Sequence, residues 1–191
     1  MIITGGSRGI GLSFGKEFLK LNFKVCLISS NKEKLEKAKN ELHSMYPNST
    51  IKIIDFNLDK FYDEDSIKQL EQRITSELKG EEISILFNNE GVFVKERFDS
   101  MTFKNVSNMI NVNICGLTFL TKIIIEYMKK RNKKSLIVYC STKSYIEAFY
   151  EGLTRDFREK FDFTLIEIGP VKTDMNDSSY PFSCLPDEFA R

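Results

Sequence analysis

An α/β fold, a single doubly wound parallel sheet covered by helices on both faces, is predicted by three observations. Strand-length apolar runs alternate with helix-length amphipathic runs along the whole chain. A glycine-rich turn, Thr4-Gly5-Gly6-Ser7-Arg8-Gly9-Ile10-Gly11, joins the first strand to the first helix. No internal repeat or low-complexity linker breaks the alternation, and 191 residues with 41% hydrophobic content are enough for one domain, residues 1–191, with a sizeable core.

The elements follow in order. Met1-Ile2-Ile3 is a short β-branched strand running into the glycine turn. Leu12, Phe14, Phe18, Leu19 and Leu21 recur at helical spacing, and Asn22 supplies a left-handed stop. Lys24 to Ser29 reads as a buried strand, which completes a βαβ unit. Asn31 to Met45 is an amphipathic helix, Thr50 to Asp55 a strand, Tyr62 to Leu78 a helix and Ile83 to Asn88 a strand. After a polar loop, one long helix is expected from Met101 or Thr102 to about Lys130. Leu136 to Tyr139 is the next strand, Ser144 to Glu159 the next helix and Phe163 to Ile168 the last strand. Pro and Ser gather after Gly169 in a loop placed beside the ligand site, and Leu185 to Arg191 has the character of a further helix start.

The glycine turn has the spacing of a dinucleotide-phosphate loop. Gly5 allows the tight turn after the strand, Gly9 lets backbone approach a pyrophosphate, and Gly11 lets the helix pack against the sheet, with the helix N-terminus facing the anion. The phosphate state of the ligand follows from charge. An acid after the second strand would bond the ribose hydroxyls of NAD, but Ser29, Ser30 and Asn31 stand there, and Arg8 can pair with a 2′-phosphate. NADP(H) is therefore favoured over NAD(H).

Bulk properties exclude other classes. A net charge of +1, with acids and bases interleaved, offers no nucleic-acid surface. Cys26, Cys115, Cys140 and Cys184 lack metal-site or disulfide spacing, which suits a reducing compartment. The single histidine, His43, lies on a charged helix, so no serine-histidine triad is expected. No apolar stretch is expected to span a bilayer, and the chain enters its first strand with no signal sequence.

Taken together, these residues resemble the short-chain dehydrogenase/reductase family, and the match runs through six motifs in order. Thr4-Gly5-x-x-x-Gly9-x-Gly11 matches its cofactor loop, and Asp55 the acid that holds the adenine amine. Asn88-Asn89-Glu90-Gly91 is similar to its Asn-Asn-Ala-Gly turn, and Asn111-Val112-Asn113 with Gly116 matches its central helix, where the second Asn belongs to the active site. Thr142-Lys143-Ser144 and Gly169-Pro170-Val171-x-Thr173 complete the series. The texture around Leu27-Ile28-Ser29-Ser30, Ile83 to Asn89 and Tyr145 to Phe149 is similar to the branch that reduces steroid ketones and long-chain 3-oxoacyl-CoA. The resemblance implies a Rossmann-type sheet and hydride transfer between nicotinamide and a carbonyl, on an apolar, lipid- or steroid-like ketone or secondary alcohol. A Tyr donates the proton, a Lys one turn on lowers its pKa and binds the ribose, a Ser orients the carbonyl and an Asn holds a relay water. Cofactor contacts carried over are Gly5, Ser7, Arg8, Gly9, Ile10, Gly11, Ser30, Asp55, Asn89, Lys143, Pro170 and Thr173; catalytic candidates are Asn113, Tyr139, Lys143 and Ser141. The expected location is the cytoplasm or the endoplasmic reticulum surface. The family also implies a homodimer through residues 102–130 and 144–159, with Leu117, Leu120, Ile124 and Tyr127 at the interface or, equally, facing the sheet.

The chain departs from the family between residues 135 and 145. Members place the Ser at the end of the fifth strand and the Tyr about a dozen residues later, and that loop is missing here. In one alignment, Tyr139-Cys140-Ser141-Thr142-Lys143 is the Tyr-x-x-x-Lys motif and the Ser is lost. In the other, Leu136 to Ser141 is the whole strand ending in its Ser, and the loop has gone together with the Tyr. A central strand of ~5–6 residues favours the second, in which Tyr139 is a strand residue. Members also continue beyond the equivalent of Arg191 to one more helix and strand, so a truncated sheet is expected. These losses open an alternative to the oxidoreductase, a catalytically silent nucleotide-binding remnant. At Glu90, where the family has Ala, a carboxylate would crowd or repel the cofactor, or turn outward.

Overall fold

The computed structural model describes residues 1–60, 63–140, 144–166 and 186–190. Ile2–Thr4 (β1), Val25–Ser29 (β2), Ile51–Asp55 (β3), Ile85–Asn88 (β4), Ser135–Cys140 (β5) and Phe161–Ile166 (β6) form one sheet in the order β3-β2-β1-β4-β5-β6. Every pairing is parallel, with Ile3 beside both Leu27 and Phe87, and Val138 beside both Phe87 and Thr164. The chain winds outward from β1 to β3, returns to β4 and winds outward the other way. That reversal opens a crevice at the carboxyl ends of β1 and β4, where such sheets take ligands.

Two cores explain the winding, because successive strand residues point to opposite faces. Ile3, Leu27, Phe87 and Val138 pack beneath Gly9–Lys20 (α1) and Lys32–Met45 (α2), through Leu19, Leu35 and Leu42. Ile2, Ile28, Leu86, Ile137 and Tyr139 pack on the other face, beneath Glu64–Glu77 (α3), Leu117–Met128 (α5) and Ser144–Phe157 (α6). Local chemistry sets the ends. Asn31 caps α2 by accepting from the Lys34 amide at 2.8 Å, Asp63 caps α3 by accepting from the Ser66 amide at 2.7 Å, and Asn22 takes the expected left-handed turn with φ 62°. A four-residue helix, Pro186–Phe189 (α7), docks on α1, where the Ser13 hydroxyl donates to Asp187.

The long helix expected from residue 101 to 130 is divided. Phe103–Ile110 (α4) opens it with the Thr102 hydroxyl as cap, Asn111–Gly116 is a π-helical turn, and α5 completes it. A Cβ on Gly116 would stand 2.8 Å from the Leu58 Cβ, so the turn packs on the segment after β3 too closely for a side chain there. Phe103–Met128 is long and apolar enough to cross a bilayer, which the sequence reading did not expect, but half of its most apolar window is buried inside the fold. Leu117, Leu120 and Ile124 are buried against the sheet and Tyr127 packs on the same core, which accounts for these four residues as core.

Candidate cofactor cleft and active site

The glycine turn folds as its spacing requires. Gly5 and Gly9 lie at φ 63° and 54°, in the left-handed region that side chains disfavour. A Cβ on Gly11 would stand 2.5 Å from the Gly5 carbonyl oxygen and 2.8 Å from the Asn89 Nδ2, so only glycine lets α1 start against the turn. The residue before α1, the exposed Arg8, makes no side-chain bond to the first-turn amides, which leaves those amides to an anionic ligand.

Thr4, read in the sequence only as the first position of the glycine motif, is a clip between two strand ends. Its hydroxyl oxygen accepts from the Asn89 and Glu90 amides, both at 2.9 Å, and the Asn89 side chain donates back to the Thr4 carbonyl at 3.0 Å. The end of β1 and the turn after β4 are thereby one unit across the crevice. A Thr directly before the first glycine was the signal available.

The end of β2 is free of acids. The Ser7 hydroxyl donates to Ser29 at 3.2 Å, Ser30 is exposed, and Asn31 is occupied as the α2 cap, so no carboxylate stands at positions 29–31. Asp55 ends β3 beside Ser29, and Arg73 donates to its carbonyl. Ile10 packs on the α1/α2 core.

Asn113 sits in the π turn, buried, with both side-chain polar atoms bonded to Val92: its Oδ1 accepts from the Val92 amide at 2.9 Å and its Nδ2 donates to the Val92 carbonyl at 2.8 Å. The central helix is thus tied to the segment after β4, beside the crevice. π turns widen the helix by one residue and recur at functional sites. Asn111 and Asn113, spaced two apart ahead of Gly116, were the trace of it in the sequence.

Tyr139 lies within β5, opposite Asn88 and Leu165, with its side chain in the core and its ring 6.0 Å from Phe149 at 71°. The neighbouring Cys140 thiol is pushed up to about 12 by burial, so it is neutral and no nucleophile at ordinary pH. Ser141, Lys143, Pro170 and Thr173, with Thr142 of the same motif, lie outside the described residues.

Glu90 turns inward. Its Oε2 is buried without a hydrogen-bond partner, and burial pushes its carboxyl up to about 7, against the Gly5 amide that pulls it down. The cleft therefore fits a dinucleotide in its left-handed turn, its uncapped helix start and its acid-free β2 end, and opposes one at the Glu90 carboxyl.

The family model described as short chain dehydrogenase matches residues 1–138. The very-long-chain 3-oxoacyl-CoA reductase of Macaca fascicularis is 30% identical over 179 residues, covering 83% of this chain and 54% of the relative. The human protein of the same name is 29% identical over the same shares. This chain spans about half the length of the curated relatives it matches. Among solved structures, a short chain dehydrogenase from Burkholderia cenocepacia in complex with NADP superposes with TM-score 0.82 at 18% identity, covering 99% of this chain and 86% of that one. The L-sorbose reductase of Gluconobacter frateurii, complexed with NADPH and L-sorbose, gives TM-score 0.82 at 16% identity, covering 99% and 85%.

Proposed function

Because this chain belongs to the short-chain dehydrogenase family, we propose that it is an NADP(H)-dependent oxidoreductase interconverting a ketone and a secondary alcohol on an apolar, lipid- or steroid-like substrate. The observation that carries this reading is the convergence of the glycine turn, the Thr4 clip and the Asn113–Val92 tie on one crevice at the carboxyl ends of β1 and β4. When bound, the nicotinamide supplies or accepts the hydride. The turn amides and the start of α1 hold the phosphates, Arg8, Ser7 and Ser30 face the 2′ position, and Asp55 and Asn89 flank the adenosine and the sheet end. Asn113 positions the segment after β4, and Lys143 binds the ribose. The names of the relatives and their apolar class of substrate support the choice of ketone. The reading includes one domain over residues 1–191 and a place in the cytoplasm or at the endoplasmic reticulum surface.

A second reading is favoured by one observation: Tyr139 has 0% exposure and fills the core beneath α6. A proton donor must reach the substrate oxygen, and a ring sealed in the core does not. On this reading the chain binds the nucleotide and performs no chemistry. Titration with NADPH and NADH, followed by NADPH oxidation in the presence of apolar ketones, separates the two. Micromolar binding with NADPH preferred, and turnover that disappears in Tyr139→Phe with binding unchanged, is the enzyme's result. Binding without turnover is the silent protein's result, and no binding of either nucleotide overturns both.

A further inference from the structure

Glu90 lies two residues beyond the end of β4, and its backbone packs on the glycine turn. The Thr4 hydroxyl accepts from its amide at 2.9 Å, and its Cα lies 3.1 Å from where a Cβ on Gly5 would stand. Its carboxylate therefore rests against the Gly5 end of the phosphate turn, with Oε2 buried and unbonded. A buried carboxylate without a full set of donors is a costly charge, and one beside the amides meant for phosphate oxygens adds like charge to like. We propose that Glu90 is a resident anion that competes with the dinucleotide for the glycine turn, so that this chain binds its cofactor tightly only while Glu90 is neutral. This inference rests on the dinucleotide reading above.

The surroundings leave the acid to set its own switch. Among the described residues, the glycine turn carries Arg8, the segment beyond β4 carries Lys95, Glu96 and the paired Arg97 and Asp99, and the π turn carries the Cys115 thiol. None of these groups moves Glu90; among the described residues, burial raises it to about 7 and the Gly5 amide opposes. Below that pH the carboxyl is neutral and can donate to a phosphate oxygen; above it the charge repels. Between about pH 6 and about pH 8 the neutral fraction falls about tenfold, and the affinity falls with it.

The test is an equilibrium titration of the whole chain with NADPH and, in parallel, NADH at about pH 6 and about pH 8. NADH is included because it lacks the 2′-phosphate, whose own ionisation lies near about pH 6. The chain has no Trp, so reduced-nicotinamide fluorescence reports binding directly. The wild-type Kd for both nucleotides is expected to weaken about tenfold at the higher pH. Glu90→Gln, shaped like the neutral acid, and Glu90→Ala are expected to hold one Kd for NADH at both, no weaker than the wild type at the lower pH. A wild-type Kd for NADH that ignores pH, or a slope that persists in Glu90→Gln, overturns the assignment of Glu90 while leaving the dinucleotide reading intact. Absence of binding by the wild type and both variants at either pH overturns the dinucleotide reading and this inference with it.

Discussion

At the scale of single residues, the buried acid should also leave its mark on stability without any ligand. The ordinary Glu value of 4.5 applies to the unfolded chain, and about 7 to the folded one. Below 4.5 both states hold the proton and pH has no effect through this group. Between 4.5 and about 7 only the folded state holds it, so unfolding releases a proton and stability falls as pH rises. Above about 7 the loss levels off, at about 3 kcal/mol for a shift from 4.5 to about 7. Urea unfolding of wild type and Glu90→Gln at about pH 5 and about pH 8 reads it: the variant should gain about 2 kcal/mol on the wild type between the two pH values. An equal difference at both would mean that the carboxyl titrates normally and faces water. The Glu90 departure was visible in the sequence as an acid where the family has Ala. Its direction was not, because the choice between inward and outward depends on the Thr4 hydroxyl reaching across from another strand.

At the scale of elements, the π turn is the feature that ties chemistry to fold. Asn113 satisfies both backbone groups of Val92, and no other residue type of that length both accepts and donates in this way. Asn113→Ala removes two buried hydrogen bonds and leaves the Val92 amide and carbonyl unserved, a cost of about 2–4 kcal/mol. Asn113→Asp keeps the acceptor but sets a carboxylate oxygen against the Val92 carbonyl, and should be no better. NADPH affinity should weaken less than tenfold in either variant, since the phosphate turn is untouched, whereas ketone turnover should be lost. Chemical denaturation with a parallel NADPH titration checks both; full stability in Asn113→Ala would show that the tie is idle. The alternating strands and amphipathic helices were readable because each carries its own period and cap, as the Asn31 and Asp63 caps illustrate. The break in the central helix was not, because it follows from the close approach of Gly116 to Leu58, a contact between segments nearly sixty residues apart. Strand length, by contrast, already marked Tyr139 as a strand residue, and β5 from Ser135 to Cys140 holds it there, with the register set by pairing with β4 and β6.

At the scale of the whole molecule, the two cores share every strand. Ile2 and Ile3, Leu86 and Phe87, and Ile137 and Val138 are neighbours along the chain that serve opposite faces, so neither core can be lost while the other keeps its floor. We therefore expect one cooperative transition on heating, as a single domain requires. A ligand held at the crevice between β1 and β4 acts on that common floor and should move the entire transition. At a hundred times its Kd, NADPH adds about 2.7 kcal/mol, and a domain of this size gains about 2–4 °C per kcal/mol, so the midpoint should rise by about 5–10 °C. Gly9→Val places a β-branched side chain at φ 54° in the turn, and should abolish the NADPH shift even where the variant still melts cooperatively. Calorimetry with and without NADPH distinguishes the cases. Two separate transitions would split the chain into independent units, and a full shift in Gly9→Val would move the nucleotide site away from the glycine turn.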